Sequence, residues 1–188
     1  MESDDSALWQ RVRGGDAQAF GLIFERHGNA IYNYCFRRVG NWAAAEDLLS
    51  VVFLECWRRR DADIPAGSLR AWLYGIATNV LRSQHRSERR HAAALRRIPE
   101  PAFGPTVGDL ADQRVDDERD MQRVLAFVRQ LPRRELEVFA LCGWFDLSYE
   151  DAAIALAIPV GTVRSRLFRA RKRLQESDGM PVEEVSGS

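Results

Sequence analysis

Between Pro159 and Leu174 the chain reads PVGTVRSRLFRARKRL, with six basic residues (Arg164, Arg166, Arg169, Arg171, Lys172 and Arg173) and no acid. Cationic groups at this density neutralise phosphates, and an arginine fork also reaches base edges. Bond-breaking chemistry needs a different set: a nucleophile beside its base, or carboxylates clustered on a metal. Glu46-Asp47 and Asp116-Asp117-Glu118 are adjacent in sequence, and adjacent residues on a helix diverge. Cys35, Cys56 and Cys142 are far apart, odd in number and without a C-x-x-C pair. They read as small buried apolar residues, not as zinc ligands or disulfides. No enzymatic activity, cofactor or metal is expected.

The basic residues need an element to present them. Val163, Leu167, Ala170 and Leu174 recur at i, i+4, i+7 and i+11, one face of an α-helix. Arg164, Ser165, Phe168, Arg169 and Lys172 fall on the other side. A solvated surface helix can have this composition, but the residues before it add to the pattern. Ser148 can cap a short helix Tyr149–Leu156, with Asp151 near its positive end and Ala152, Ala153 and Leu156 inward. Ala157-Ile158-Pro159 breaks that helix at once. Two short helices with a tight break and a basic second helix describe a helix-turn-helix, whose second helix enters the major groove.

The other half is also read as helical. Ser3-Asp4-Asp5 can cap a first helix ending at Gly14-Gly15, and Asp16 caps the next. There Ala19, Phe20, Ile23, Phe24 and His27 keep helical spacing, and Ile31, Tyr34, Cys35 and Arg38 continue it after Gly28-Asn29. His27 reads as a packed or surface histidine, since no partner ligand sits one turn away. Asn41 caps Trp42–Arg59, whose stripe is Ala45, Leu48, Leu49, Val52, Phe53, Cys56 and Trp57. Its other face holds Glu46, Asp47, Ser50, Val51, Leu54 and Glu55. Val51 and Leu54 lie off the stripe among charges, as in a protein-docking surface. Arg60–Gly67 is a loop, and Ser68 caps a long helix with Leu69, Trp72, Leu73, Ile76, Ala77, Val80 and Leu81 inward. Its exposed side is expected to show Arg70, Tyr74, Thr78, Asn79 and Arg82. Six arginines follow from Arg82 to Arg97, opposed only by Glu88. Aromatic rings and amides beside arginines suit single-stranded nucleic acid.

Net charge is zero but unevenly spread: Met1–Arg97 carries +4, Ile98–Asp120 −5 and Met121–Ser188 +1. The middle stretch has Pro99, Pro101, Gly104, Pro105 and Gly108 among its acids and reads as a flexible acidic linker. A linker of that charge can fold back on the arginines of either neighbour. Beyond it, Met121, Val124, Leu125 and Val128 start a second domain. Leu131-Pro132 opens another helix with Leu136, Phe139 and Ala140 inward, stopped by Gly143. The expected fold is all-α: a helical domain over 1–97, a linker over 98–120, a second helical domain over 121–176 and a flexible tail over 177–188. No apolar run approaches a membrane span, and the acidic N-terminus lacks a signal peptide's pattern, so a cytoplasmic location is expected.

AAAEDLLSVVFLECWRRR followed by SLRAWLYGIATNVLRSQHRSERR resembles region 2 of bacterial RNA polymerase sigma factors of the extracytoplasmic-function (ECF) type. LPRRELEVFALCGWFDLSYEDAAIALAIPVGTVRSRLFRARKRL resembles their region 4. The resemblance implies a dissociable subunit that directs core polymerase to promoters. Region 2 would dock on the β′ coiled coil through Glu46, Asp47, Ser50, Val51, Leu54 and Glu55. It would read and melt the −10 element with Asp63, Ser68, Arg70, Tyr74, Asn79 and Arg82. Region 4 would sit on the β flap and read the −35 duplex with Thr162, Arg164, Ser165, Arg166, Phe168, Arg169 and Lys172. Many such factors are held by an anti-sigma protein, which adds a further partner class. Family members often show Gln-Glu at Ser50-Val51 and Gly at Ala157, where a positive φ suits glycine. A stand-alone helix-turn-helix regulator would explain Ser148–Leu174 but leaves the face of Trp42–Arg90 without a role.

Overall fold

Helix boundaries in the computed structural model follow capping chemistry closely. The structure describes residues 2–62, 64, 68–95 and 112–178. It comprises α1 (Glu2–Arg13), α2 (Ala17–Val39), α3 (Trp42–Arg58), α4 (Leu69–Leu95), α5 (Asp112–Val128), α6 (Arg133–Phe139), α7 (Tyr149–Leu156) and α8 (Val160–Asp178). Asp16 accepts from the Gln18 and Ala19 backbone N–H groups at the start of α2, and Asn41 from Ala44 N at the start of α3. Ser148 does the same for α7 through Asp151 N. Each satisfies an N–H that the first turn leaves without a partner.

Three boundaries differ from the sequence expectation. Asp4 and Asp5 lie inside α1 instead of capping it, because both pair with Arg26 of α2. Helix α2 agrees with the continuing spacing and runs unbroken through Gly28-Asn29, with the Phe24 ring lying over Gly28. Helix α5 begins at Asp112, so the last residues expected of a flexible linker are helical. Gly143 does not stop α6 either: a π-helical turn, Ala140–Trp144, continues through it.

The N-terminal module packs α1, α2, α3 and α4 around Val12, Ile23, Ile31, Val52, Cys56 and Leu73. The expected stripes of α3 and α4 are the ones that face this core. His27 is buried there, and its Nε2 lies 3.0 Å from Asp5 Oδ2. Burial pushes the His27 imidazole pKa below its usual value, against the opposing pull of Asp5. Burial also pushes the Cys35 and Cys56 thiols up to about 12 and Cys142 up to about 11, so none offers a thiolate near neutrality.

The C-terminal module packs α6, α7 and α8 around Val138, Leu141, Leu156, Val163 and Leu167. Its α6 buries Glu135 and Glu137 beside Val138, whereas Leu136 and Phe139 are only partly covered. The two modules touch along α4 and α7, and the apolar core runs through both. Helix α5 packs on the end of α2. Glu118 Oε1 accepts from Trp42 N at 2.7 Å, and Gln122 Nε2 donates to Gly40 O at 2.8 Å. Gly40 closes α2 with a φ of +67°.

Candidate nucleic-acid interface

Helix α8 is positioned by its own seam. Val163, Leu167 and Ala170 are buried, which turns Arg164, Ser165, Phe168, Arg169 and Lys172 outward. Phe168 is 69% exposed, a costly place for a phenyl ring unless something covers it. Thr162 and Arg166 flank this stripe and are half-buried. The cations are not all idle. The Arg164 guanidinium lies 5.7 Å from the centre of the Tyr149 ring. Arg169 Nε and Arg173 Nε reach the two carboxylate oxygens of Glu135 at 3.3 and 3.1 Å. Lys172 pairs loosely with Glu176 at 3.8 Å. Glu135 of α6 therefore holds the Arg169 side chain, which stays half-exposed.

The turn before α8 has a backbone that the sequence did not favour. Ala157 takes φ 52°, ψ 50°, a left-handed conformation that costs a residue with a Cβ roughly 1–2 kcal/mol. Its N–H still reaches the Ile154 carbonyl, and Ile158 N reaches Ala153 O, so the turn closes α7 as a glycine would.

Helix α4 was expected to expose Arg70, Tyr74, Thr78, Asn79 and Arg82. The structure overturns part of this. Tyr74 and Thr78 are each 1% exposed. Thr78 Oγ1 donates to Tyr74 O at 2.8 Å and lies 2.8 Å from Tyr34 Oη. Tyr74 packs edge-on against Tyr34 and tilts against Phe145 of the C-terminal module. Burial raises both phenol pKa values. Arg70 Nη2 donates to Phe145 O at 2.7 Å. Arg82 grips Glu137 through Nε–Oε1 at 2.9 Å and Nη2–Oε2 at 2.6 Å. Burial alone would raise the Glu137 carboxyl, but the Arg82 hydrogen bonds and the Arg82, Arg38 and Arg133 charges outweigh it and hold it below the usual glutamate range. Asn79 remains exposed and accepts from Arg82 Nη1. Ser68 is buried, and its hydroxyl caps α4 by accepting from Ala71 N at 3.2 Å. Asp63 lies outside the described residues.

The polar side of α3 is open as expected. Glu46, Asp47, Ser50, Val51 and Leu54 are exposed and Glu55 is half-exposed. Val51 and Leu54 are 44% and 48% exposed. Val51 and Glu55 border a groove of about 610 Å³ between α3 and α4, closed on the far side by Asn79, Ser83 and Ser87.

Glu135 and Glu137 are the residues that sequence reasoning missed. Their signal was present: two acids flank Leu136 between Arg133-Arg134 and the apolar run that starts at Val138. Acids buried with such a run need cationic partners. Of the connector acids, Glu118 accepts from Trp42 N and Asp120 pairs with Arg123, whereas Glu100, Asp109 and the side chains of Asp112 and Asp116 lie outside the described residues.

Among the described residues, no three His, Cys, Asp or Glu side chains are grouped to hold a metal ion, and no helix is long and apolar enough to cross a membrane. Comparison with known families gives two matches. Residues 23–91 match sigma-70 region 2 and residues 121–174 match sigma-70 region 4. The chain is 30% identical to the RNA polymerase sigma-H factor of Pseudomonas aeruginosa, covering 94% of both chains. It is 33% identical to the ECF RNA polymerase sigma factor EcfG of Rhodopseudomonas palustris, covering 72% of this chain and 71% of that one. Among solved structures it resembles the sigma factor RpoE of Bartonella quintana, crystallised in complex with the anti-sigma factor NepR. The TM-score is 0.64 at 26% identity, over 87% of this chain and 98% of that one. The chain belongs to the ECF family of RNA polymerase sigma factors: it is a non-enzymatic factor that directs promoter-specific initiation.

Proposed function

We propose that this sigma factor divides promoter recognition between its modules, α8 reading the −35 duplex and α4 holding the −10 strand, while α3 docks on the polymerase β′ coiled coil. The observation that carries the reading is the outward stripe of α8: Arg164, Ser165, Phe168, Arg169 and Lys172 on one side of a helix whose other side is fully packed. Arg169 is the base reader in this scheme, because Glu135 fixes its direction and a bidentate arginine distinguishes guanine in the major groove. The Phe168 ring meets thymine methyl groups, and Thr162, Arg166 and Lys172 complete the phosphate contacts. Glu46, Asp47, Ser50, Val51, Leu54 and Glu55 form the β′ contact, a polar ring around two apolar residues. Asn79, already exposed, serves the −10 strand with Arg70, Tyr74 and Arg82 once these leave Phe145 and Glu137, and with Asp63 contributed by the loop.

Region 4 also meets the β flap, and the factor works in the cytoplasm on promoter DNA. An anti-sigma protein is a further partner; the Bartonella quintana factor in its complex with NepR supports that reading. Run-off transcription with core polymerase on genomic fragments tests the whole scheme. Promoter-specific transcripts are expected, and Arg169→Ala should relax preference at one −35 position. Specific duplex binding by the free chain, with no response to core polymerase, would favour the stand-alone regulator instead.

A further inference from the structure

A cleft of about 500 Å³ lies where α2, α4, α5 and the start of α6 meet. Its floor is aliphatic: Val39 at the end of α2, Leu81 of α4, Leu125 of α5, and Leu131 and Leu136 on either side of the first residues of α6. Arg38, Arg129 and Arg133 stand around that floor, and Glu88 is the one acid among the described residues that line it. The guanidiniums exceed what the neighbouring carboxylate uses. Glu137 accepts twice from Arg82 and, at 3.1 Å, from Arg133 Nε, and Arg38 acts on it by charge alone. One carboxylate among three arginines leaves surplus positive charge beside the aliphatic floor. These features narrow the occupant. The volume falls in the range of small-ligand sites, which favour the junctions between domains. A partner helix, about 10 Å across, would fill it within little more than one turn. No Phe, Tyr or Trp is among the lining residues, so a nucleobase would find no ring to stack on. A saturated chain suits the aliphatic walls, and an anionic head suits the arginines.

We propose that this cleft is a binding site for a single-chain amphiphile with an anionic head, the alkyl chain lying over Leu81, Leu125 and Leu131 and the head resting on Arg129 and Arg133. Carboxylate and phosphate heads share this chemistry: a fatty acid supplies the first and a phosphorylated lipid the second. The site is independent of the promoter assignments, since none of the residues placed at DNA lines it. Its walls come from α2 and α4 on one side and from the start of α6 on the other. The occupant therefore bridges the two modules and binds while they are closed on one another as in the structure. Binding to that arrangement alone raises its thermal stability.

Calorimetric titration of the full-length chain with dodecanoate, dodecyl phosphate, dodecanol and inorganic phosphate tests this, the amphiphiles being kept below their micelle concentrations. Either anionic amphiphile is expected to bind one per chain, roughly tenfold more tightly than dodecanol, and inorganic phosphate not at all. The tighter of the two anions identifies the source of the head. Arg129→Glu, at an exposed position, should weaken both anions roughly tenfold and leave dodecanol unchanged. Leu136→Trp, which fills the cleft, should weaken all three, with circular dichroism checking that both variants fold. A photoreactive dodecanoate should label α4, α5 and α6 and spare α3, whose exposed Val51 and Leu54 offer a non-specific apolar surface. Binding of neither anion, dodecanol as tight as dodecanoate, equal affinity for the anions in Arg129→Glu, or labelling centred on α3 overturns the site.

Discussion

The two arginine-bearing faces of this sigma factor are in opposite states. On α8 the face is open, with Phe168 69% exposed and Arg169 half-exposed. On α4 the corresponding polar face is covered, with Tyr74 and Thr78 each 1% exposed and Arg82 committed to Glu137. Both helices bury one apolar stripe in their own module. They differ in what the other module does with the polar side. A polar helix face is therefore a statement about partners and not about solvent: arginines and tyrosines suit a nucleic acid, and they suit a buried carboxylate and a phenyl ring equally well.

The largest test asks whether the covered face couples the modules at all. Leu73→Ala in α4 and Leu167→Ala in α8 each truncate a buried core leucine and should cost about 2–5 kcal/mol. Calorimetry on the coupled chain should show one unfolding transition that either substitution lowers. Two transitions, each answering to one variant, would break the comparison by making the modules independent. The open face is tested next. Arg169→Ala should cost about 1–3 kcal/mol of −35 duplex binding by the core-bound factor and relax preference at one base pair. Glu135→Gln should produce a smaller loss of the same kind, since it loosens Arg169 without removing it. Equal preference in all three proteins would show that the open face is not the reading face.

The covered face can be opened with acid. The Glu137 carboxyl is held below the usual glutamate range in the closed chain. The protons it refuses there are taken up when the modules part, so its contribution is complete above the ordinary glutamate pKa and lost as pH falls through the depressed value. Discounted for the solvent that reaches Arg82, the pair should be worth about 1 kcal/mol. A loss of that size raises the open fraction about fivefold; energy transfer between labels on the two modules, followed from pH 7 down to pH 3, should show that rise in the wild type only at the acid end and in Glu137→Gln already at neutrality. The smallest effect belongs to the turn before α8. Ala157→Gly should stabilise the C-terminal module by up to about 1 kcal/mol by relieving the left-handed alanine, with a small rise in Tm. No rise would mean that the turn carries no strain worth relieving.

Much of the fold was legible from residue spacing. The stripes on α3, α4 and α8 and the caps at Asp16, Asn41 and Ser148 are local features, and local chemistry set them. What failed to show in sequence came from contacts distant along the chain. Helix α5 starts among acids that resemble a linker, and Glu118 and Gln122 anchor it at the α2–α3 corner. Asp4 and Asp5 look like caps until Arg26 is brought beside them. The α8 and α3 faces were legible because, among the described residues, no element packs over them. The α4 face was not, because periodicity cannot name the partner of a polar stripe, and Ser68, expected near that face, is buried and caps α4.

Helices α4 and α5 end and begin at Leu95 and Asp112, and the connector between them reaches at most about 60 Å fully extended. A tether of that span holds the C-terminal module at an effective concentration on the order of millimolar around α4. A contact of only micromolar intrinsic strength would then be closed in nearly every molecule. Because closure is unimolecular, dilution leaves the ratio of closed to open chains unchanged. The ratio of closed to open chains is thus set by the interface itself and by competing ligands.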